Sequence, residues 1–176
     1  LQKRGVTLIS ATEQIDATPV GQLMHGILAA FNEYRSREDG ADIAYKMKSK
    51  AMNGGTLGRA PIGYLNVTDN IDGRKINTVH VDSERAPFVK LAFELYASRD
   101  KTFQDIADEL TDRGLRTRAT QRRPAGPISD SKIQQMLRDR YYLGKVAFKG
   151  EEYDGRHPAL IDQELFDRVQ SLLETR

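Results

Sequence analysis

Apolar residues return at helical spacing in five stretches of this chain, and the first of them is unusually long. Leu23, Met24, Ile27, Leu28, Phe31 and Tyr34 fall three and four apart, and a weaker run resumes at Ile43, Ala44, Met47 and Ala51. Such spacing lays side chains along one face of a helix. With Thr18 as its cap and Pro19 in its first position, the helix is expected over about 19 to 51, a reach of about 50 Å. Gly40 is its expected weak point. A helix of that length rarely folds back on its own domain; it bridges two bodies or pairs with a partner helix. Upstream, "GVTLIS" (5–10) reads as a short strand and "ATEQIDATP" as a loop.

Downstream the elements are shorter. "YLNV" and "KINTVHV" flank a turn at Asp72 and Gly73, which predicts a hairpin. Two helices follow. The first turns Phe88, Leu91, Ala92, Leu95 and Tyr96 inward; the second turns Phe103, Ile106, Ala107 and Leu110 inward, between a Thr102 cap and a Gly114 terminator. A fourth helix begins near Ser129 or Ser131, where Ser131 and Gln134 have capping-box spacing, and ends near Arg140. Residues 143 to 154 predict a second hairpin turning at Gly150, and Leu165, Phe166, Val169, Leu172 and Leu173 mark a closing helix. The expected class is α+β, mainly helical. A long N-terminal linking helix leads to a compact helical domain with small β-hairpins and a winged, helix-turn-helix-like unit.

Composition narrows the function classes. The 176 residues are 39 % apolar and 30 % charged without polar repeats, enough for a core and unlike a disordered chain. The absence of cysteine removes disulfides, thiolate metal sites and cysteine nucleophiles, and fits a reducing compartment. The longest apolar stretch, "LMHGILAAF" (23–31), falls far short of the roughly 20 residues that span a bilayer, and no secretory signal is visible. A soluble cytoplasmic protein is expected.

The formal net charge of +2 conceals an asymmetry. Residues 113 to 149 hold ten basic side chains against Asp130 and Asp139, a formal +8. A second basic island, 46 to 67, has Lys46, Lys48, Lys50 and Arg59, with Asp or Glu nowhere inside it. Such segregation is the footprint of a polyanion partner, set against the blander reading of a solvated basic face.

On the fourth helix, Ile133, Met136 and Leu137 define the inward side, so Ser131, Gln135 and Arg138 point outward with Lys132 and Gln134 beside them. Arginine bridges guanine acceptors, glutamine pairs with adenine, and serine suits phosphates or base edges; the set is that of a major-groove reader. The preceding helix shows Asp105, Asp108, Glu109 and Asp112, which phosphates repel, and so supports rather than enters the groove. The basic connection "LRTRATQRRPAGP" (115–127) is longer than an ordinary helix-turn-helix turn.

"NGGTLGRAPIGY" (53–64) lacks the lysine, hydroxyl residue and following helix that a phosphate-cradling nucleotide loop needs. A flexible arm entering a minor groove, led by Lys50 and Arg59, fits better; a plain interdomain linker is the alternative. His25, His80 and His157 are scattered without metal-site spacing, and Glu13 with Asp16 suits a helix N-terminus better than catalysis.

Three blocks in this order carry a family resemblance. "GVTLISATEQIDATPVGQLMHGILAAFNEY" resembles the last strand, connecting loop and long helix of the serine recombinase catalytic domain. "GGTLGRAPIGY", "SKIQQMLRDRYYLGKV" and "HPALIDQELFDRV" resemble the recombinase domain of the large serine recombinases, or serine integrases. The resemblance divides the chain into 1–52, the end of a catalytic domain, and 53–176, a DNA-binding recombinase domain. It implies a parent enzyme of bacterial or phage origin that cuts and rejoins double-stranded DNA at attachment sites through a phosphoserine intermediate. Metal and ATP are not required, and the parent works as a dimer that forms a tetramer in synapsis.

The family's nucleophilic serine motif has no counterpart here, so Ser10 and Ser36 are not promoted to that role, and the segment alone is expected to be inactive. Where many members carry a glutamate–arginine pair and later another arginine, this chain has Arg35, Ser36 and Asp42. The expected DNA contacts are Lys46, Lys48, Lys50, Arg59, Arg116, Arg118, Arg122, Arg123, Ser131, Lys132, Gln135 and Arg138, with neither cofactor nor metal. The rival readings are a non-enzymatic winged-helix transcriptional regulator, whose long helix is a dimerisation arm, and a basic protein-interaction domain.

Overall fold

The computed structural model describes residues 18–121 and 124–175; the strand expected at 5–10 and the loop at 11–17 lie outside them. The described elements run α1 (Pro19–Met52), β1 (Tyr64–Ile71), β2 (Arg74–Val81), α2 (Ala86–Ala97), α3 (Phe103–Asp112), α4 (Asp130–Arg138), a 3-10 helix (Arg140–Leu143), β3 (Lys145–Phe148), β4 (Glu151–Asp154) and α5 (Gln163–Glu174). The class is α+β and mainly helical, as expected. The chain divides into two compact units, one ending at Lys46 and one beginning at Met47.

In the first unit, α1 is helical straight through Gly40. Thr18 caps it, its hydroxyl accepting from Gly21 N–H at 3.1 Å. The apolar stripe that defines the helix stands exposed: Leu23, Met24, Ile27, Phe31 and Tyr34 all keep half or more of their surface. Solvent-side pairs at i, i+4 spacing, Arg37 with Glu33 and Lys46 with Asp42, line the helix. The Arg35 guanidinium lies 6.0 Å from the centre of the Phe31 ring.

The second unit is built around Tyr64, Phe93, Ile106, Leu110, Ile133, Leu137, Tyr142 and Val169, all fully buried. Helix α2 packs on α5 and α3, and α3 on α4. Local chemistry explains each boundary. Thr102 and Asp105 form a reciprocal capping box at the start of α3. At its end Leu115 N–H reaches Leu110 C=O (2.8 Å) and Gly114 N–H reaches Thr111 C=O (3.0 Å), with Gly114 at φ +104°. That is the paired 6→1 and 5→2 bonding of a Schellman turn, and Leu115 is buried under it. The β1–β2 hairpin turns at Asp72 and Gly73, and the β3–β4 hairpin at Lys149 and Gly150, all four at positive φ.

One open choice is settled and two expectations shift. The cap of α4 is Ser129, whose hydroxyl accepts from Lys132 N–H at 3.3 Å, and Ser131 lies inside the first turn. The helix ends at Arg138, because Asp139 leaves helical geometry (ψ +108°) and its carboxylate accepts from Tyr141 N–H to start the 3-10 helix. In α2 the buried side is Ala86, Val89, Ala92, Phe93 and Tyr96, while Phe88, Leu91 and Leu95 are only half-buried. That helix is apolar nearly all round, so periodicity alone leaves its rotation open and packing between α3 and α5 sets it.

Candidate nucleic-acid interface

The glycine-rich stretch 53–63 is a docked strap rather than a free arm. Gly54 C=O accepts from Arg156 N–H at 2.9 Å, Ile62 C=O accepts from the Tyr142 hydroxyl at 2.9 Å, and Thr56 shares a hydrogen bond with the Tyr141 hydroxyl. Tyr64, which ends the strap, donates its hydroxyl to Pro158 C=O at 2.7 Å and meets Tyr141 and His157 edge-on at 5.1 and 5.2 Å. The glycines are there for close approach. A Cβ on Gly54 would stand 2.7 Å from Asp154 O, and one on Gly63, at φ +95°, 2.8 Å from a Val89 methyl.

His157 underlies the arrangement. It is buried, stacks on Tyr141 at 3.6 Å, and places Nε2 2.7 Å from Tyr141 C=O. A carbonyl only accepts, so Nε2 carries the proton, and buried Nδ1 has no hydrogen-bond partner among the described residues. Burial pulls this imidazole below its ordinary pKa, against the hydrogen bond to Tyr141 and the charge of Asp139.

The basic connection from α3 to α4 is closed at its neck. Thr117 N–H donates to Gly126 C=O at 2.8 Å, and Gly126 N–H donates back to the Thr117 hydroxyl at 3.1 Å. The long connection is therefore a pinched excursion, which lets α3 and α4 pack together despite it.

Between the strap, α4 and β3 runs a groove of about 860 Å³ whose lining includes Arg59, Arg118, Lys132, Gln135 and Arg138. These five come from three separated segments. Lys132, Gln135 and Arg138 are exposed on the outward side of α4, with Lys132 Nζ 2.8 Å from Gln135 Oε1. Ser131 is exposed too, though its hydroxyl turns to Asp130 and it does not line the groove.

The remaining expected residues are placed otherwise. Lys46, Lys48 and Lys50, two apart on a helix, alternate sides instead of forming one row. The acid missing from their own segment comes from elsewhere: Lys46 pairs with Asp42 at 2.8 Å and Lys48 with Glu151 at 3.2 Å. Lys50 is exposed but opens on a different cleft. Arg116 folds its guanidinium onto the end of α3, donating to Thr111 and Leu115 C=O. Arg122 and Arg123 lie outside the described residues.

Arg118 is largely buried, its side chain 17 % exposed, 3.6 Å from the Asp82 carboxylate that Arg85 also holds at 3.0 Å. Its Nε and Nη2 make no hydrogen bond among the described residues. Desolvation pulls the guanidinium below its ordinary pKa while Asp82 pulls the other way; it stays charged. Two groove cations were missed. Arg140 and Lys145 sit in the +8 segment but behind α4, on the 3-10 helix and β3, where only the chain reversal at Asp139 brings them round. The groove also holds two carboxylates, Glu152, bonded to Arg140 at 3.1 Å, and Asp139, whose pKa burial raises.

A family model described as Recombinase matches residues 83–176, more than half of the chain. The chain belongs to the recombinase family. The matched part holds α2 through α5, the pinched connection and the outward side of α4. Two solved structures share the fold. One is the crystal structure of an LSR-DNA complex, 20 % identical with a TM-score of 0.53, covering 72 % of this chain and 36 % of that one. The other, concerned with sequence requirements of the Listeria innocua prophage attP site, is 20 % identical with a TM-score of 0.55, covering 75 % and 51 %. The recombinase chain thus spans about a third to a half of the length of those two chains. The resemblance to large serine recombinases seen in the sequence holds. No curated protein matches the chain. Among the described residues no helix is long and apolar enough to cross a membrane.

Proposed function

We propose that this recombinase chain is the DNA-binding segment of a site-specific serine recombinase and receives attachment-site duplex in the groove between the strap and α4. Residues 1–52 then belong to the end of a catalytic domain and 53–176 to the DNA-binding domain. Cleavage, strand exchange and religation through a phosphoserine intermediate, and assembly into dimers and synaptic tetramers, are activities of the parent enzyme; no residue here is assigned as nucleophile.

The observation that carries the reading is the meeting of Arg59, Arg118, Lys132 and Arg138 in one groove, beside an exposed face whose Gln135 and Arg138 can pair with base edges. Structural relatives that include an LSR-DNA complex support it. Lys132, Arg59 and the loop arginines Arg122 and Arg123 serve as phosphate contacts. Arg116 is better employed capping α3, and Lys46 and Lys48 would have to leave Asp42 and Glu151 to reach DNA.

The test is a salt titration on specific and scrambled duplexes. Arg138→Ala or Gln135→Ala should cost about 1–3 kcal/mol on the specific duplex and relax its preference. Lys132→Gln should weaken both duplexes alike and flatten the salt dependence. The reverse assignment would displace α4 from the major groove, and binding indifferent to salt would refute a DNA role. A native gene without a catalytic domain upstream would favour the winged-helix regulator.

A further inference from the structure

The strap borders a second cleft, of about 340 Å³, that no part of the reading above uses. Thr56 lines both spaces, while Gly54, Gly55 and Gly58 bring the strap backbone to the second one, opposite the β1–β2 hairpin. Its charged residues are Lys50, from the last turn of α1, and Arg156, which follows β4. Both are exposed, and neither forms a salt bridge among the described residues. Unlike the α4 groove with Asp139 and Glu152, this cleft has no acidic side chain in its lining among the described residues.

The neutral groups suit the same partner. Asn77 Oδ1 is taken by the Thr68 hydroxyl, which leaves its amide N–H groups to donate into the space. Asn66, by contrast, is used internally, holding Ala60 N–H and Gly58 C=O. Two cations, a carboxamide donor, hydroxyls and glycine backbone with no Cβ to fend off an approaching group recognise a phosphodiester. Val67, Ile76, Val79 and His157 also line the cleft and bring no negative charge.

We propose that Lys50 and Arg156 form a second phosphate site for the DNA backbone, so that the strap is flanked by phosphodiesters on the α4 side and on the hairpin side. The proposal rests on the DNA-binding reading. It makes Arg156, outside both basic islands of the sequence, a phosphate contact that adds affinity without sequence preference.

The whole chain is titrated with chloride against a mixed-sequence duplex of about 40 base pairs, roughly four helical turns. Lys50→Gln and Arg156→Gln should each make the salt slope shallower by about 0.9, equally on every duplex sequence, and Arg156→Lys should restore it. Arg168→Gln, at an exposed position of α5 paired with Glu164, should leave the slope unchanged. If both cleft variants keep the parental slope while Lys132→Gln loses it, the second site is wrong and the DNA reading stands. Should Lys132→Gln also keep it, both fall. An equal loss in Arg168→Gln would reduce the effect to net charge and overturn the site. Replacing chloride by inorganic phosphate at equal ionic strength should not change affinity; selective competition that disappears in Arg156→Gln would assign the cleft to free phosphate instead.

Discussion

The strap (53–63) and the connection between α3 and α4 (113–129) are both loops rich in small and turn-forming residues, yet the fold treats them differently. The strap is held along its length by the Tyr141 and Tyr142 hydroxyls and by the backbone N–H of Arg156, and it leads into buried Tyr64. The connection is fixed at its neck by Thr117 and Gly126 and near its return by Ile128 N–H, 3.4 Å from the Thr111 hydroxyl. Glycine and proline content therefore does not distinguish a docked segment from an excursion. The distinction comes from whether large side chains elsewhere offer hydrogen-bond partners to the backbone.

Four measurements can break that contrast. The largest effect is expected for Tyr64→Ala, which removes a fully buried ring and its bond to Pro158; urea unfolding should show a loss of about 3–5 kcal/mol. A loss under 1 kcal/mol would mean that the strap is not anchored there.

Next comes a pair of glycines with the same backbone. Gly54 and Gly58 have φ of +70° and +71°, but a Cβ meets Asp154 O at 2.7 Å in the first and open space in the second. Gly58→Ala should cost about 1–2 kcal/mol from conformation alone, and Gly54→Ala a further 1–3 kcal/mol or so from crowding. Equal costs would show that the strap yields to contact as a loose loop does.

Thr117→Val, which deletes the hydroxyl at the neck of the connection, should cost only about 1 kcal/mol. It should speed proteolysis within 118–125 while leaving cleavage in the strap unchanged; accelerated cleavage of both would make them one cooperative unit.

The smallest effect concerns pH. His157 has a folded pKa below its ordinary 6.5, so the unfolded chain binds its proton first, and the stability of neutral His157 is present above about 6.5 and lost as pH falls toward the folded value. Asp139 acts oppositely. Its folded pKa is raised above 3.8, so its contribution is present below 3.8 and lost as pH rises through the folded value. Urea midpoints from pH 8 down to 5 should therefore fall more steeply in the parent than in His157→Gln. Parallel profiles would show that the buried imidazole titrates normally.

Much of the fold was legible because its causes are local. Thr102 with Asp105, Gly114 with Leu115, and Asp72 with Gly73 act over a few residues, and the inward set Ile133, Met136 and Leu137 follows from helical period alone. From that inward set the exposure of Lys132, Gln135 and Arg138 followed as well. The partners of the basic residues were not legible, since an ion pair is chosen by proximity in space. Glu151, far along the chain from Lys48, neutralises it; Asp82 detains Arg118; the end of α3 occupies Arg116.

From residue order alone came the helices, turns, segregated charge and family, because propensity, capping and composition are properties of neighbouring residues. Tertiary packing chose which cations face a common groove, and it turned a glycine-rich stretch into a docked strap. Both outcomes depend on contacts between segments far apart in the chain, such as Tyr142 with Ile62 and Arg156 with Gly54, which have no signature at either end until the core has formed.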